Sequence, residues 1–255
     1  MLVLLPPSET KKIGGDGPPL GLAPGLKAPG LEAPGLEALS HPDLTPVRRK
    51  LIDELVALAG DRTTGLAALG LSHHQHRELQ RNGELWSAPT LPALRRYTGV
   101  LYTALDANSL RPAQCARLMV ASALFGLLRA DDRIPAYRLS AASALPGLGS
   151  VRSVWRPVLG PLLSRIPDLV VDLRSSGYLA LGLLPAAVTV QVVTDDGRTV
   201  SHHNKAHKGR LARLLATAPR EVSDADGVAR IARRAGLRVL QTGEHTLRIQ
   251  HAQRG

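Results

Sequence analysis

Two sets of apolar runs, one at each end of the chain, constrain the fold more than anything between them. Leu2–Leu5 is a short apolar run stopped by Pro6-Pro7. A run of that length, ended by residues that lack a backbone N–H, is expected of a central strand entering a loop. Near the other end, Leu237–Leu240 and Thr246–Ile249 flank Thr242-Gly243-Glu244 and predict a hairpin. Strands at both ends place them in one sheet, so residues 1–255 are expected to form a single α+β domain rather than two. Further strands are expected at Leu169–Leu173 and Val188–Val193, which are β-branched and apolar; the second is followed by an Asp195-Asp196-Gly197 turn.

The segments between read mainly as helix. Val47–Leu58 carries Leu51, Leu55 and Leu58 on one face. Thr63–Leu69 and His73–Gln80 read as short helices joined at Gly70-Leu71-Ser72, with Ser72 and Gln75 as a capping box. Helices are also expected at Leu91–Arg96, Arg111–Leu128, Val151–Ile166 and His203–Ala216. From Gly21 to Leu39, Gly-Leu-x-Ala-Pro recurs about every five residues, too short a unit to pack, and predicts an extended surface insertion.

Composition narrows the partners. Only 3% of residues are aromatic, so the core must be Leu, Val and Ala. The formal net charge of +11, mostly from Arg, favours a polyanion. The one cysteine, Cys115, cannot form an internal disulfide and fits a reducing compartment. The apolar start has no basic residues before it and is too short to span a bilayer, so no membrane is expected and the location is read as cytoplasmic.

Three segments carry candidate chemistry. In Ser201–Arg213, a helix would group Leu211, Leu214 and Leu215 on one side and turn Lys205, Lys208 and Arg213 towards a phosphate backbone. An ordinary amphipathic surface helix has the same pattern. Asn204 near its start would leave backbone N–H groups for an anion. The unit around Gly70 could present helix-end amides to phosphate, with Arg62, His73, His74 and Arg77 nearby; a plain helical hairpin is the simpler reading. Arg129–Arg138 forms a charged loop in which Asp131 and Asp132 could pair with Arg129 or Arg138. His203 and His207 are spaced i, i+4, and His73, His74 and His76 cluster, but no His-Glu-x-x-His motif occurs, so neither a metal site nor a cofactor is expected. Walker, dinucleotide-binding and nucleophile-elbow motifs are absent. These residues support an anion-binding domain and reveal no reaction.

In order along the chain, Met1–Thr10, Tyr97-Thr98-Gly99, Ser122–Arg129 with Ile134–Leu139, Leu173–Tyr178 and Lys205-Ala-His-Lys-Gly209 resemble successive blocks of the YaaA family of peroxide-stress proteins. The resemblance implies a mixed-sheet domain surrounded by helices, with a helix-hairpin-helix-like element and a basic cleft. It also implies DNA binding and a cytoplasmic role in limiting oxidative damage linked to free iron. Glu9 stands where the family has a loop lysine, Trp155-Arg156-Pro157 where it has Trp-Gly-Asp, and Gly177 where it has an acid. Those departures bear on acid–base chemistry more than on anion binding.

The leading expectation is therefore a double-stranded DNA binder of low sequence specificity. Its phosphates would meet Lys205, Lys208 and Arg213, with Gly70 and His73 adding contacts and Thr98, Arg129 and Arg138 lining the cleft. The alternative is an enzyme acting on a small anionic or nucleobase-like substrate, in a pocket drawn from Ser8, Thr10, Tyr97, Thr98, Ser176 and Tyr178. A pocket joining Ser8, Thr98, Tyr178 and Lys205 would favour the alternative. Direct iron sequestration is a weaker third reading, given the lack of ligand sets.

Overall fold

The computed structural model describes residues 1–21, 35–194 and 201–251. The repeats within 22–34 and the expected Asp195-Asp196-Gly197 turn lie outside the described residues.

The expected end strands share one mixed, seven-stranded sheet. Its strands are β1 (Leu2–Leu5), β2 (Leu118–Ser122), β3 (Gly126–Arg129), β4 (Val170–Asp172), β5 (Val188–Thr194), β6 (Arg238–Gly243) and β7 (Thr246–His251). Their spatial order is β6-β7-β5-β4-β1-β2-β3. The inner strands run parallel, with Val3 opposite Leu118 and Val171, while β3 and β6 close the edges antiparallel. Val3, Leu4 and Leu5 are almost wholly buried, which is why the run at the start of the sequence has no polar alternation.

Around the sheet lie α1 (Thr45–Ala59), α2 (Arg62–Leu69), α3 (His76–Gly83), α4 (Val100–Leu105), α5 (Val151–Ser164), α6 (Ser201–Thr217) and α7 (Ala225–Arg234). Helices α4 and α7 were not expected from the sequence. Between α2 and α3, Gly70 caps in the left-handed region (φ 61°), and the Ser72 amide donates to Gln75 Oε1 at 3.1 Å. Arg62, His73, His74 and Arg77 are exposed there.

Arg111–Leu128 is not one helix. One helical turn, Pro112–Cys115, precedes β2, and Ala123-Leu124-Phe125 turns the chain into β3. A mainly apolar run suits a buried helix or a strand covered on both faces, and periodicity cannot separate them. What fixes the strand reading is the turn. Ser122 Oγ accepts from the amides of Leu124 and Phe125, at 3.2 and 2.9 Å. Gly126 adopts φ 71°, where a Cβ would lie 2.7 Å from the Trp155 ring. Buried Arg48 donates to the carbonyls of Phe125 and Leu127, and Trp155 Nε1 to that of Ala123. Leu91–Arg96 is likewise shorter as a helix: Leu91–Pro92 pairs with Arg133–Ile134, and one turn, Ala93–Arg96, follows.

Candidate functional site

At the carboxyl ends of β1 and β4 lies a cavity of about 540 Å³. Ligand crevices form at this position in sheets of parallel strands, because the loops diverge there. Four stretches line it: 6–10 leaving β1, 98–102 entering α4, 173–178 following β4, and the start of α6.

Backbone pairing sets the first wall. The Lys12 amide donates to Arg96 O at 2.9 Å, and that of Thr98 to Thr10 O at 3.2 Å. Arg96, fully buried, holds the loop from below by donating to the carbonyls of Lys12, Gly14 and Ile134. This register aligns three hydroxyls: Ser8 Oγ lies 3.2 Å from Thr10 Oγ1, and Thr98 Oγ1 donates to Thr10 Oγ1 at 3.0 Å. Gly99 follows at φ 96°; a Cβ there would crowd Ser8 Oγ to 3.1 Å.

The opposite wall is basic. Lys205 is exposed at the rim. Lys208 is buried, and its Nζ donates to the carbonyls of Leu173 and Arg174 at 3.1 and 3.2 Å. Burial pulls its pKa down to about 8, partly offset by Asp172. The loop that presents those carbonyls is itself clamped. Arg174 and Asp172, both about 1% exposed, form a close ion pair with Nη2–Oδ2 at 2.7 Å, and Arg174 also donates to Tyr178 O and Gly182 O. Asn204 lines the cavity as well, with its Oδ1 buried and without a hydrogen-bond partner.

One carboxylate lines the cavity among the described residues, that of Glu9. Arg138 holds it at 2.8 Å, and Asn82 fixes Arg138 by exchanging hydrogen bonds with its backbone N–H and C=O, each at 2.8 Å. The positive charge of the two lysines is therefore not cancelled inside.

All four tyrosines of the sequence gather here. Tyr102 and Tyr178 line the cavity, and Tyr102 donates to Pro6 O at 2.8 Å. Tyr97 and Tyr137 lie beneath, their hydroxyls 2.9 Å apart, and Ser122 Oγ is 2.8 Å from Tyr137. Burial lifts Tyr97 to about 12 and raises Tyr178 further. Lys11 Nζ sits 4.2 Å from the Tyr137 ring centre and donates to Ser8 O, and burial lowers its pKa to about 7.

Of the residues singled out by sequence, the structure brings Ser8, Thr10, Thr98, Tyr178, Lys205 and Lys208 into one cavity. Tyr97 supports it from below, and Arg138 reaches it through Glu9. Ser176 is exposed and its neighbour Ser175 lines the wall instead. Lys208 does not point away from the apolar side of α6, as the sequence reading had it. It stands at i relative to Leu211, Ala212 and Leu215 (i+3, i+4, i+7), and shares their buried face. Arg213 also turns inward, donating to Leu105 O and Asp106 O at the end of α4. Arg129 is exposed beside a different cavity with Asp131 and Asp132, and Gly70 and His73 lie outside the site. Asp132 accepts from the amides of Ser40 and Arg129 rather than pairing with an arginine side chain. The sequence reading missed Ser175, Asp172 and Arg174 and gave Lys11 no role. Only the side-chain-rich Leu173–Tyr178 block hinted at the clamp. Trp155 belongs to the core. The side chain of His203 is outside the described residues, and among the described residues no group of three or more His, Cys, Asp or Glu is placed to hold a metal ion.

A mixed seven-stranded sheet among helices, with a lysine-and-hydroxyl cavity at the ends of its parallel strands, defines an α+β protein. The chain matches the family described as peroxide stress protein YaaA over residues 1–240, and it belongs to that family. It is similar to UPF0246 proteins of Corynebacterium efficiens (47% identity, 94% of each chain) and Corynebacterium glutamicum (42%, covering 96% of this chain and 97% of the relative). A UPF0246 protein of Streptomyces coelicolor is 42% identical over 85% of this chain and 84% of its own. No helix among the described residues is long and apolar enough to cross a membrane.

Proposed function

We propose that this peroxide-stress family member is a cytoplasmic DNA-binding protein that holds duplexes mainly through backbone phosphates and so helps limit iron-driven oxidative damage. The observation that carries the proposal is the uncancelled charge at the cavity: Lys205 at the rim and Lys208 within, with Glu9 already occupied by Arg138. Exposed Lys12 and Arg210 extend that charge over the neighbouring surface. The turn at Gly70, a helix-hairpin-helix-like element in this reading, adds amides and exposed basic side chains as a second backbone contact. The experiment is duplex binding across a salt series. Affinity should fall steeply with salt, and Lys205→Ala should weaken all sequences alike while reducing the log–log slope by about 1. Salt-independent affinity, or no complex with any duplex at low salt, would sink the proposal.

A second reading, an enzyme acting on a small anionic or nucleobase-like substrate, is favoured by one observation. Ser8, Thr98, Tyr178 and Lys205 do share an enclosed cavity, and Lys208 has a pKa near the range where a lysine exchanges protons at neutral pH. Its test is turnover of nucleotides and phosphate esters against pH. A rate rising through about pH 8 and lost in Lys208→Met supports it, and no turnover of any substrate counts against it.

A further inference from the structure

We infer that the cavity between β1, β4 and α6 holds one unstacked nucleotide. The inference rests on the DNA-binding reading for the source of that nucleotide, and on the cavity alone for its chemistry.

Size comes first. About 540 Å³ lies within the range of small-ligand pockets and is far too little for a duplex, so only a single nucleotide unit of a DNA strand can enter. The lining then asks for two kinds of chemistry in one ligand. Lys205, Lys208 and the aligned hydroxyls of Ser8, Thr10 and Thr98 offer donors and positive charge, which a phosphate accepts. Asn204 adds an amide side chain to the same wall. Pro6, Pro7, Leu173 and Tyr178 give apolar surface for the faces of a base. Cations and hydroxyls for a phosphate, set beside apolar walls for a flat ring, fit the two ends of a nucleotide.

Drawing a paired nucleotide out of a helix costs unpairing and unstacking energy, and that cost is least where pairing is already broken. A protein that takes one nucleotide into this cavity therefore prefers a duplex with a mismatch to a perfect one. Anisotropy titrations at fixed salt should show about fivefold or greater tighter binding to a duplex with a single mismatch, a few kcal/mol of unpairing being partly prepaid. Millimolar dAMP should erase that preference by filling the cavity. Ser175→Trp, at an exposed position on the cavity wall, should likewise erase the mismatch preference and should abolish dAMP binding by calorimetry.

Equal affinity for the two duplexes together with no dAMP binding overturns the inference and leaves DNA binding standing. A mismatch preference that survives in folded Ser175→Trp also overturns it, because the cavity is then not the source. Binding of dAMP without any duplex binding supports the cavity's ligand class while removing the DNA reading, and identifies a free nucleotide as the source. Binding of dAMP with equal duplex affinities supports the ligand class and again points to a free nucleotide.

Discussion

Lys208 meets two opposing demands at the scale of a single residue. Its amine is out of water, which favours the neutral form, yet two carbonyls accept its protons and an anion in the cavity would favour the charged form. The unfolded chain binds a proton here up to about pH 10.5, whereas the folded chain releases it near 8. Between those values the unfolded state carries more protons, so stability rises with pH. Relative to Lys208→Met, the wild type should gain on the order of 3 kcal/mol between pH 8 and 10.5 in denaturant titrations. Ligand affinity should move the other way, weakening as pH rises past about 8 and the charge is lost. A pH-independent difference between wild type and variant would remove Lys208 from this account. Asp172 is a second residue with a large predicted effect. Asp172→Asn leaves the Arg174 guanidinium buried beside a neutral partner and should cost about 3–5 kcal/mol in chemical denaturation.

Among elements, α6 decides most. It was legible as a helix over His203–Ala216, short of the observed Ser201–Thr217, because apolar residues recur at helical spacing in a segment without proline. Which basic residues it keeps for solvent was less legible, because α6 packs on α4, on α7 and on the sheet, and the sequence reading allowed only one apolar side. The position of Lys208 in register with Leu211 and Leu215 was the available signal. At Gly209 the helix comes so close to α4 that a Cβ would lie 2.2 Å from Leu101 O. Gly209→Ala should therefore separate the two helices and destabilise the protein by about 2–3 kcal/mol, despite alanine's better helix propensity. A thermal midpoint unchanged from wild type would contradict this packing. The strand pair β2–β3 was illegible for a different reason. The run from Leu118 to Leu128, apolar but for Ser122 and Gly126, has no period, and two residues that brace its turn, Arg48 and Trp155, lie far away in sequence.

Over the whole molecule, the mixed sheet was legible from its β-branched and terminal runs, since these tolerate little else. The cavity was legible only as a set of residue blocks in order; their convergence depends on strand order, which no local pattern encodes. The sheet's architecture makes its own prediction. Hydrogen exchange should be slowest in β1, β2 and β4, which are covered and paired on both sides, and fastest within the sheet in the β6 edge of the hairpin, where most residues are exposed. Slow exchange in β6 matching that of β1 would require a cover on that edge.

The pairing of Val3 with both Leu118 and Val171 also sets a timetable for the nascent chain. On a ribosome the first strand emerges long before either neighbour exists, and it must remain unpaired until nearly half of the residues have been joined. A strand that apolar is a target for wrong partners while it waits. The last wall of the cavity, carried by α6, emerges later still. A nascent chain that has not yet reached α6 lacks the wall that carries Lys205 and Lys208.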